Sequence, residues 1–256
     1  MTKLQIKNLT VQIGNKKICE ALNLNLQPTE IWGVLGRNGS GKTTLLHTIA
    51  GLRAATGGQI LLDDTDITQL PRKSVAQKLG LLMQHTEDAF PSSVLETVVS
   101  GRHPHIENWR WENANDYEKA RQALQQVSMQ SFEQRQINEL SGGERQRVSI
   151  ATLLTQDPTI FLLDEPNSHL DLHYQINILE DLCEYARAQQ RIVFMSLHDI
   201  NLAARFCTHL LFLFDDATIH SGRAEELLTT EKLSQLFQHP ICAIENNAKF
   251  FYTPAQ

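Results

Sequence analysis

The stretch GRNGSGKT, residues 36–43, most constrains what this chain can fold into, because it matches the phosphate-loop pattern G-x-x-x-x-G-K-[ST] at every fixed position. The apolar run IWGVL precedes it, and the helical pattern TTLLHTIAGL at 43–52, which stops near Gly51, follows it. A strand, a glycine-rich turn and a helix in this order place backbone N–H groups at a helix N-terminus, where the helix dipole favours anions. A glycine turn beside an ordinary helix start is the less informative alternative.

This loop predicts a nucleotide site. We expect the backbone N–H groups of residues 39–42 to surround phosphate oxygens. The Lys42 ammonium would reach the β and γ phosphates, and the Thr43 hydroxyl would ligate Mg²⁺. The candidate ATP-binding residues are Gly36, Arg37, Asn38, Gly39, Ser40, Gly41, Lys42, Thr43 and Thr44.

Three further apolar runs end in polar residues. They are LGLLMQ at 79–84, IFLLDE at 160–165 and RIVFMSLHD at 191–199. Continuous apolarity, rather than alternation, predicts strands covered on both faces, as in a parallel sheet between helices. Ligands of such sheets bind beyond the carboxyl ends of the strands. We therefore expect one crevice to hold Gly36 and the polar strand-end residues, which are Gln84, Asp164, Glu165 and His198.

The two adjacent carboxylates have distinct expected roles. Asp164 closes its strand like the second carboxylate of phosphate-loop nucleotidases, which helps to hold Mg²⁺. Glu165 is placed to polarise a water molecule for attack on the γ phosphate. The pair could instead cap the next helix, an alternative that Pro166 and the separate phosphate loop disfavour. His198 is a candidate γ-phosphate contact, or otherwise a core histidine.

A second glycine-containing stretch, ELSGGERQR at 139–147, raises a different question. Ser141 and Glu144 form the S-x-x-E pattern of a capping box, which predicts a helix over 142–156. Gly142 and Gly143 each cost such a helix up to about 1 kcal/mol relative to alanine. A capping box without a ligand leaves both glycines unexplained.

Composition excludes several classes of protein. The 256 residues, 41% hydrophobic and 20% charged, are ordinary for a globular chain. Lys and Arg number 23 against 29 Asp and Glu, so no basic field indicates a nucleic-acid partner. The apolar region 191–214 is interrupted by charged and histidine residues and is not expected to cross a bilayer. The cysteines form no C-x-x-C pair and are expected to be reduced and mostly buried; they are Cys19, Cys183, Cys207 and Cys242.

Residues 86–157 interrupt the series of predicted strands, and we expect them to form an inserted helical subdomain. Asn115, with Glu118 three residues later, is the predicted start of a helix. The apolar face of that helix is Tyr117, Ala120, Leu124 and Val127. The nucleotide-binding core would then comprise 1–85 and 158–220, and a C-terminal extension, 221–256, would hold a helix at EKLSQLF and a strand at KFFYTP.

The joint pattern of GRNGSGKTT, Gln84, LSGGERQR, IFLLDEP, SHLD and His198 resembles that of ATP-binding cassette (ABC) ATPases over nearly the whole chain. The resemblance implies an α/β fold of the P-loop NTPase (RecA-like) type, with a parallel sheet core, an antiparallel β subdomain and an inserted helical subdomain. It implies Mg²⁺-dependent ATP hydrolysis. The implied catalytic residues are Glu165, His198 and Gln84, and the implied Mg²⁺ residues are Thr43, Gln84 and Asp164.

The resemblance also gives the second loop a role. In ABC ATPases the LSGGE loop binds the γ phosphate of ATP held by the opposite subunit, so the chain is expected to form a homodimer. Asp171 would bridge the dimer interface. The residues expected to bind ATP in trans are Ser141, Gly142, Gly143 and Glu144.

A narrower resemblance lies in SVLETVVSGRHPHIENW at 93–109, the following ANDYEKARQAL and SLHDINLAARF. These segments are similar to the ATPase subunits of importers for ferric siderophores, haem and vitamin B12. The resemblance implies membrane permease subunits docked near residues 85–115, an external substrate-binding protein and a peripheral position on the cytoplasmic face of the cell membrane. Iron chelate or haem is the favoured cargo, followed by cobalamin, with molybdate or another metal species open. An exporter ATPase and a soluble ATPase switch acting on ribosomes or nucleic acid are the alternatives.

The chain departs from the family pattern at a few positions. Ile13 stands where many relatives have an aromatic residue that stacks on adenine, and Asn167 and His169 replace the commoner Thr and Ala. His103 and His105 form an H-x-H pair without an acidic or thiol partner, so a loop packed on the permease is favoured over a metal site.

Overall fold

The computed structural model describes residues 2–84, 91–107, 110–168, 170–246 and 249–255. The strands within these ranges are β1 Leu4–Ile13, β2 Lys16–Leu26, β3 Ile31–Leu35, β4 Gly57–Leu62, β5 Thr65–Asp66, β6 Leu79–Leu82, β7 Ile160–Asp164, β8 Ile192–Ser196, β9 His209–Leu213, β10 Ile219–Arg223, β11 Ile241–Asn246 and β12 Lys249–Pro254. The α-helices are α1 Lys42–Ile49, α2 Arg72–Lys78, α3 Val94–Val99, α4 Ala114–Gln126, α5 Gly142–Gln156, α6 Leu172–Ala188, α7 Ile200–Phe206, α8 Ala224–Leu227 and α9 Thr230–Phe237, and short 3-10 helices lie at Ile67–Gln69, Ser100–His105, Gln130–Phe132 and Ile137–Glu139.

A six-stranded sheet in the order β10-β9-β3-β8-β7-β6 forms the centre of the fold. Its strands from β9 to β6 run parallel, and β10 returns antiparallel to β9. Successive residues of β7 point to opposite faces, so Phe161 and Leu163 join one apolar core while Ile160 and Leu162 join the other. The predicted parallel sheet with both faces covered is therefore confirmed.

The two cores have different coverings. One is closed by α1 and by an antiparallel sheet in the order β2-β1-β4-β5, which carries Leu4, Ile6 and Ile60 inward. The other holds residues of the helices α3–α7 and of the tail helices α8 and α9. Every apolar residue of the central strands thus has a partner layer, which explains why the sequence runs are continuous rather than alternating.

The helix α4 begins earlier than the sequence analysis predicts. Asn113, not Asn115, is the N-cap: its Oδ1 accepts from the backbone N–H groups of Asn115 at 2.8 Å and Asp116 at 3.3 Å. The Asp116 carboxylate completes a capping box by accepting from the Asn113 N–H at 3.1 Å. The predicted start at Asn115 is wrong because Asp116, rather than Glu118, supplies the reciprocal acceptor. The predicted apolar face of α4 lies in the core.

A buried ion pair ties this helix to its neighbours. Arg102 Nε donates to Asp116 Oδ1 at 3.0 Å, and both side chains are less than one-tenth exposed. Arg102 Nη1 also donates to the Thr155 carbonyl at 3.1 Å, near the end of α5. His105 Nε2 lies 2.8 Å from the Gln156 carbonyl oxygen. The segment around 100–106 is therefore fastened to both α4 and α5.

The tail agrees with its two sequence predictions to within about a residue. The EKLSQLF pattern lies in α9 and KFFYTP forms β12, which pairs antiparallel with β11. Cys19, Cys183 and Cys207 are buried free thiols, and Cys242 is half-buried. Among the helices of the described ranges, none combines the length and apolarity that a bilayer span requires.

Candidate active site

The phosphate loop joins β3 to α1 through two glycines in the left-handed region. Gly39 has φ 77° and Gly41 has φ 109°, conformations that L side chains rarely adopt. A Cβ on Gly41 would lie 2.5 Å from the Ile18 Cγ2, so that position is also closed sterically. The helix α1 that follows has neither a side-chain N-cap nor an acidic residue in its first turn. Its first N–H groups are consequently available to an anion.

Lys42 is buried within this loop, with 5% of its surface exposed. Its Nζ donates to the carbonyl oxygens of Gly36 at 2.8 Å and Arg37 at 3.2 Å, which holds the ammonium over the loop. Burial lowers the pKa of Lys42, while the carboxylates of Glu165 and Asp164 oppose this by favouring the charged form. A triphosphate bound here would add negative charge and, like the carboxylates, favour the charged form of Lys42.

Glu165 lies at the turn after β7 in a strained conformation, with φ 49°. Gln84 Nε2 donates to its Oε2 at 2.8 Å, and His198 Nε2 is hydrogen-bonded to its Oε1. Its side chain is 15% exposed and that of His198 is 43% exposed. The structure therefore brings three residues from the ends of β6, β7 and β8 into direct contact, although 81 positions separate Gln84 from Glu165.

Ser196, at the end of β8, joins the Asp164 carboxylate to the backbone of Glu165. Its fully buried hydroxyl donates to Asp164 Oδ1 at 2.6 Å and accepts from the Glu165 backbone N–H at 2.9 Å. Sequence reasoning missed this residue, because a serine inside the apolar run RIVFMSLHD carries no motif. The available signal was a polar residue at the carboxyl end of a strand that neighbours the phosphate-loop strand.

The Asp164 carboxylate fits a role in holding Mg²⁺. Asp164 is fully buried, and its Oδ2 has no hydrogen-bond partner among the described residues. A buried carboxylate oxygen with open lone pairs requires a cation or an ordered water to offset its desolvation, and carboxylate and hydroxyl oxygens are the ligands that Mg²⁺ prefers. The buried Ser40 hydroxyl also lacks a partner among the described residues. The donor chemistry of this site therefore suits a magnesium ion.

One cleft of about 1100 Å³ is lined by the phosphate loop and by three of the four predicted strand-end residues; the fourth, the fully buried Asp164, is not among the residues that line it. Gln84, Glu165 and His198 lie in it together with residues 36–39 and 41–44. The β1–β2 hairpin contributes Ile13, which is 38% exposed, and Ile18. The volume and its lining suit a nucleoside triphosphate rather than a macromolecule.

The LSGGE loop lies away from this cleft. Ser141 caps α5: its Oγ accepts from the Glu144 N–H at 3.3 Å, and the Glu144 carboxylate accepts from the Ser141 N–H at 2.8 Å. These bonds hold the pKa of Glu144 below its ordinary value. Ser141 and Gly142 are exposed, and residues 141–144 are absent from the residues that line the cleft. The predicted capping box is confirmed, and its first two residues are exposed to solvent.

Two further hydrogen bonds involve α5 and the start of α6. Gln146 Nε2, buried in α5, donates to the Pro166 carbonyl at 3.1 Å and so connects the LSGGE helix to the turn that holds Glu165. Asp171 caps α6 by accepting from the Tyr174 N–H at 3.0 Å, and the adjacent Leu172 is 70% exposed. His169, for which the sequence analysis notes a departure from the family, lies outside the described residues.

A parallel sheet with a phosphate loop, a buried lysine and paired carboxylates at its strand ends defines a nucleotidase of the P-loop class. Residues 19–168 match the protein family described as ABC transporter. The chain belongs to this family, whose ATP-binding subunits are ATPases coupled to transport.

The comparisons with individual proteins agree. The chain is 35% identical over 238 residues to the iron(3+)-hydroxamate import ATP-binding protein FhuC of Bacillus subtilis (strain 168), covering 93% of this chain and 88% of that protein. An inward-facing ABC transporter assigned to the metal-chelate type is similar at TM-score 0.87 and 30% identity, over 100% of this chain and 98% of the other. The dimeric cassette MJ0796 is similar at TM-score 0.75 and 27% identity, over 86% and 98% of the two chains.

Proposed function

We propose that the cleft binds Mg²⁺-ATP through residues 36–44 and that Glu165 is the base that activates the attacking water. The observation that carries the proposal is the contact set around Glu165: Gln84 and His198 hold its two oxygens, and Ser196 holds its backbone. A carboxylate fixed in this way keeps one geometry, which a general base requires. Lys42, buried in the same cleft, supplies the positive charge for the β and γ phosphates.

The magnesium ion is the proposed cofactor. Asp164, Gln84 and the Thr43 hydroxyl would hold it, and the ion would supply charge neutralisation at the β and γ phosphates. The open Oδ2 of Asp164 supports this assignment. Gln84 would link the ion to Glu165, because its side-chain amide already contacts that carboxylate.

The LSGGE loop is proposed to complete the site of a second copy. Ser141 and Gly142 are exposed, their donors are not used by the cleft of their own chain, and the similar cassette MJ0796 is a dimer. A C2 dimer would bring residues 141–144 of each copy to the phosphates held by the other. Asp171 and the exposed Leu172 would then lie at the interface.

A pair of variants tests this arrangement. Glu165→Gln should reduce hydrolysis by at least about 100-fold, the scale of general-base catalysis, and leave ATP affinity within about twofold. It should also accumulate an ATP-bound dimer, measured by analytical ultracentrifugation, and the added Ser141→Arg should return it to a monomer that still binds ATP. The matched control, Glu165→Gln with Ser149→Ala further along the same helix, should remain dimeric. A monomeric Glu165→Gln variant, or a dimer that Ser141→Arg leaves intact, contradicts the cross-subunit site.

The transport role is proposed to be import of an iron chelate, with haem or cobalamin as related cargoes. The functions of the similar proteins, iron(3+)-hydroxamate import and metal-chelate type transport, support this direction and cargo. The chain would lie on the cytoplasmic face of the membrane, beneath permease subunits, with an external substrate-binding protein delivering the cargo.

A groove beside the site is the proposed permease contact. It has a volume of about 470 Å³ and is lined by Met83, Gln84, Thr97 and Ser100 together with residues of α5. Because Gln84 lines the groove and also contacts Glu165, a displacement of Gln84 by the permease would directly change the position of the Glu165 carboxylate. The sequence prediction of contact near 85–115 falls partly on residues 85–90 and 108–109, outside the described ranges. The division into core, helical subdomain and extension stays a prediction.

Reconstitution tests the transport proposal. The chain would be assembled with candidate permease subunits in liposomes, and hydrolysis and movement of radioactive ferric chelate would be followed. Import predicts that a cargo-loaded binding protein stimulates hydrolysis and that the chelate moves toward the compartment that contains the ATPase. Movement in the opposite direction would establish the exporter alternative.

A further inference from the structure

An aromatic ring from the tail lines the nucleotide cleft. Phe237 is the last residue of α9, far along the chain from residues 36–44, yet it lines the same cleft. Part of the ring packs against the apolar core and the residue is half-buried, so its remaining surface is available to the cleft. No sequence motif points to this residue.

The end of α9 is fastened to the phosphate loop. Arg37 Nη1 donates to Gln238 Oε1 and to Asp215 Oδ2, each at 2.8 Å. Gln238, in the left-handed conformation with φ 53°, terminates the helix directly after Phe237. The position of the ring is therefore set by hydrogen bonds to the loop itself.

The strand order of the central sheet shows in which half of the cleft Phe237 lies. His198, Glu165 and Gln84 follow β8, β7 and β6, which all lie on one side of the phosphate-loop strand β3. Asp215 follows β9, which lies on the other side of β3. A triphosphate whose γ end reaches Glu165 must direct its base away from β7. The Arg37 bonds place Phe237 in that opposite half.

We propose that Phe237 makes the aromatic contact with the nucleobase. This proposal rests on the proposed binding of phosphates by residues 36–44 and adds the residue that holds the base. The β1–β2 hairpin lines the cleft with Ile13, Lys16 and Ile18, none of which carries an aromatic ring. Stacking on a ring is tolerant of base identity because every base has a π-face, so Phe237 strengthens binding of ATP and GTP alike.

The test compares nucleotides with a triphosphate that has no base. The dissociation constants of Mg²⁺-ATP, Mg²⁺-GTP and inorganic tripolyphosphate would be measured by calorimetry on the full chain and on Phe237→Leu, which keeps apolar volume but removes the ring. Phe237→Tyr retains the ring. Phe132→Leu is the matched control, because Phe132 is also a half-buried phenylalanine packed on the core but does not line the cleft. Thermal unfolding of each variant monitors folding.

The expected result is a rise of about tenfold, or about 1.4 kcal/mol, in the dissociation constants of ATP and GTP for Phe237→Leu. For Phe237→Tyr and Phe132→Leu, the dissociation constants of ATP and GTP should stay within about twofold of the parent values. The affinity for tripolyphosphate should be the same in all three phenylalanine variants as in the parent. Unchanged ATP binding by Phe237→Leu, or equal losses of ATP and tripolyphosphate, would overturn the base contact. Tripolyphosphate binding that persists in Lys42→Ala would instead overturn the proposed phosphate site, whatever the Phe237 variants do.

Discussion

Replacing Ser196 with alanine should slow ATP hydrolysis by about 10- to 100-fold, although Ser196 is expected to touch neither nucleotide nor water. The change removes the hydroxyl that donates to Asp164 Oδ1 at 2.6 Å and accepts from the Glu165 N–H at 2.9 Å. Asp164 then loses its hydrogen-bond donor inside a fully buried site, and the strained turn at Glu165 loses its anchor. Supporting residues behind metal-binding groups typically contribute 10- to 100-fold to activity or affinity.

The same contacts set the cost in stability. A hydrogen bond to a charged group contributes about 1.5–3 kcal/mol, and the loss also leaves the part-buried Glu165 N–H without its acceptor. We therefore expect the variant to be about 2–3 kcal/mol less stable. For a chain of this size each kcal/mol corresponds to about 2–4 °C, so Tm should fall by about 4–12 °C.

The assay measures phosphate release at saturating ATP across a series of Mg²⁺ concentrations, well below the Tm of each variant. The Mg²⁺ concentration for half-maximal activity should rise together with the fall in kcat. Thr208→Val is the matched control, because its hydroxyl accepts from the Ile31 N–H at 3.0 Å and donates to the Ile31 carbonyl at 3.1 Å, at the opposite end of the sheet. It should lose stability without a change in the Mg²⁺ requirement. A folded Ser196→Ala variant with the parent kcat and Mg²⁺ requirement would refute the reasoning.

Two further substitutions test the phosphate loop and the buried ion pair. Gly41→Ala should raise the ATP dissociation constant, measured by calorimetry, far more than Gly39→Ala does. Both glycines have positive φ, but only a Cβ on Gly41 would collide with Ile18. Equal effects of the two substitutions would contradict this steric argument. Asp116→Asn breaks the buried ion pair with Arg102, which should lower the free energy of unfolding by about 3 kcal/mol. At about 2–4 °C for each kcal/mol, Tm at pH 7 should fall by about 6–12 °C. Burial raises the pKa of Asp116, but the Asn113 N–H and Arg102 outweigh it and hold that pKa below its usual range. The stabilisation is thus fully present above the unfolded pKa of about 3.9 and is lost as pH falls through the folded value, so the Tm difference should shrink below about pH 4. The control Glu118→Gln, on the same helix, should show no comparable pH dependence, and a difference that stays constant down to pH 3 would contradict the linkage.

The local features of the site could be read from the sequence. The turn at 36–43 follows from glycines that alone tolerate its φ values, and the Ser141 cap follows from a serine and a glutamate three residues apart. The parallel sheet also follows, because buried strands need apolar residues on both faces. Such patterns depend on neighbours a few positions away, and the sequence contains those neighbours directly.

Local rules also fail where two of them compete. Asn113 and Asn115 both precede an acid at the spacing of a capping box, and the acid that also pairs with the buried Arg102 decided between them. The strand β9 is not predicted, because its run HLLFL lies inside the longer apolar region 191–214, which charged and histidine residues interrupt. At the start of α4 a tertiary contact therefore selected one of two locally acceptable caps.

The contacts that make the site work were decided by the tertiary structure. The sequence predicts that the strand ends meet, but not that Gln84 and His198 hold the two oxygens of Glu165, that Ser196 joins the Asp164 carboxylate to the Glu165 backbone or that Phe237 reaches the cleft. These residues come from separate elements, and their distances depend on strand register and on how the tail packs against the loop. Features that depend on a few neighbouring residues can be predicted from the sequence. Contacts between distant residues cannot, because the packed sheet fixes their relative positions.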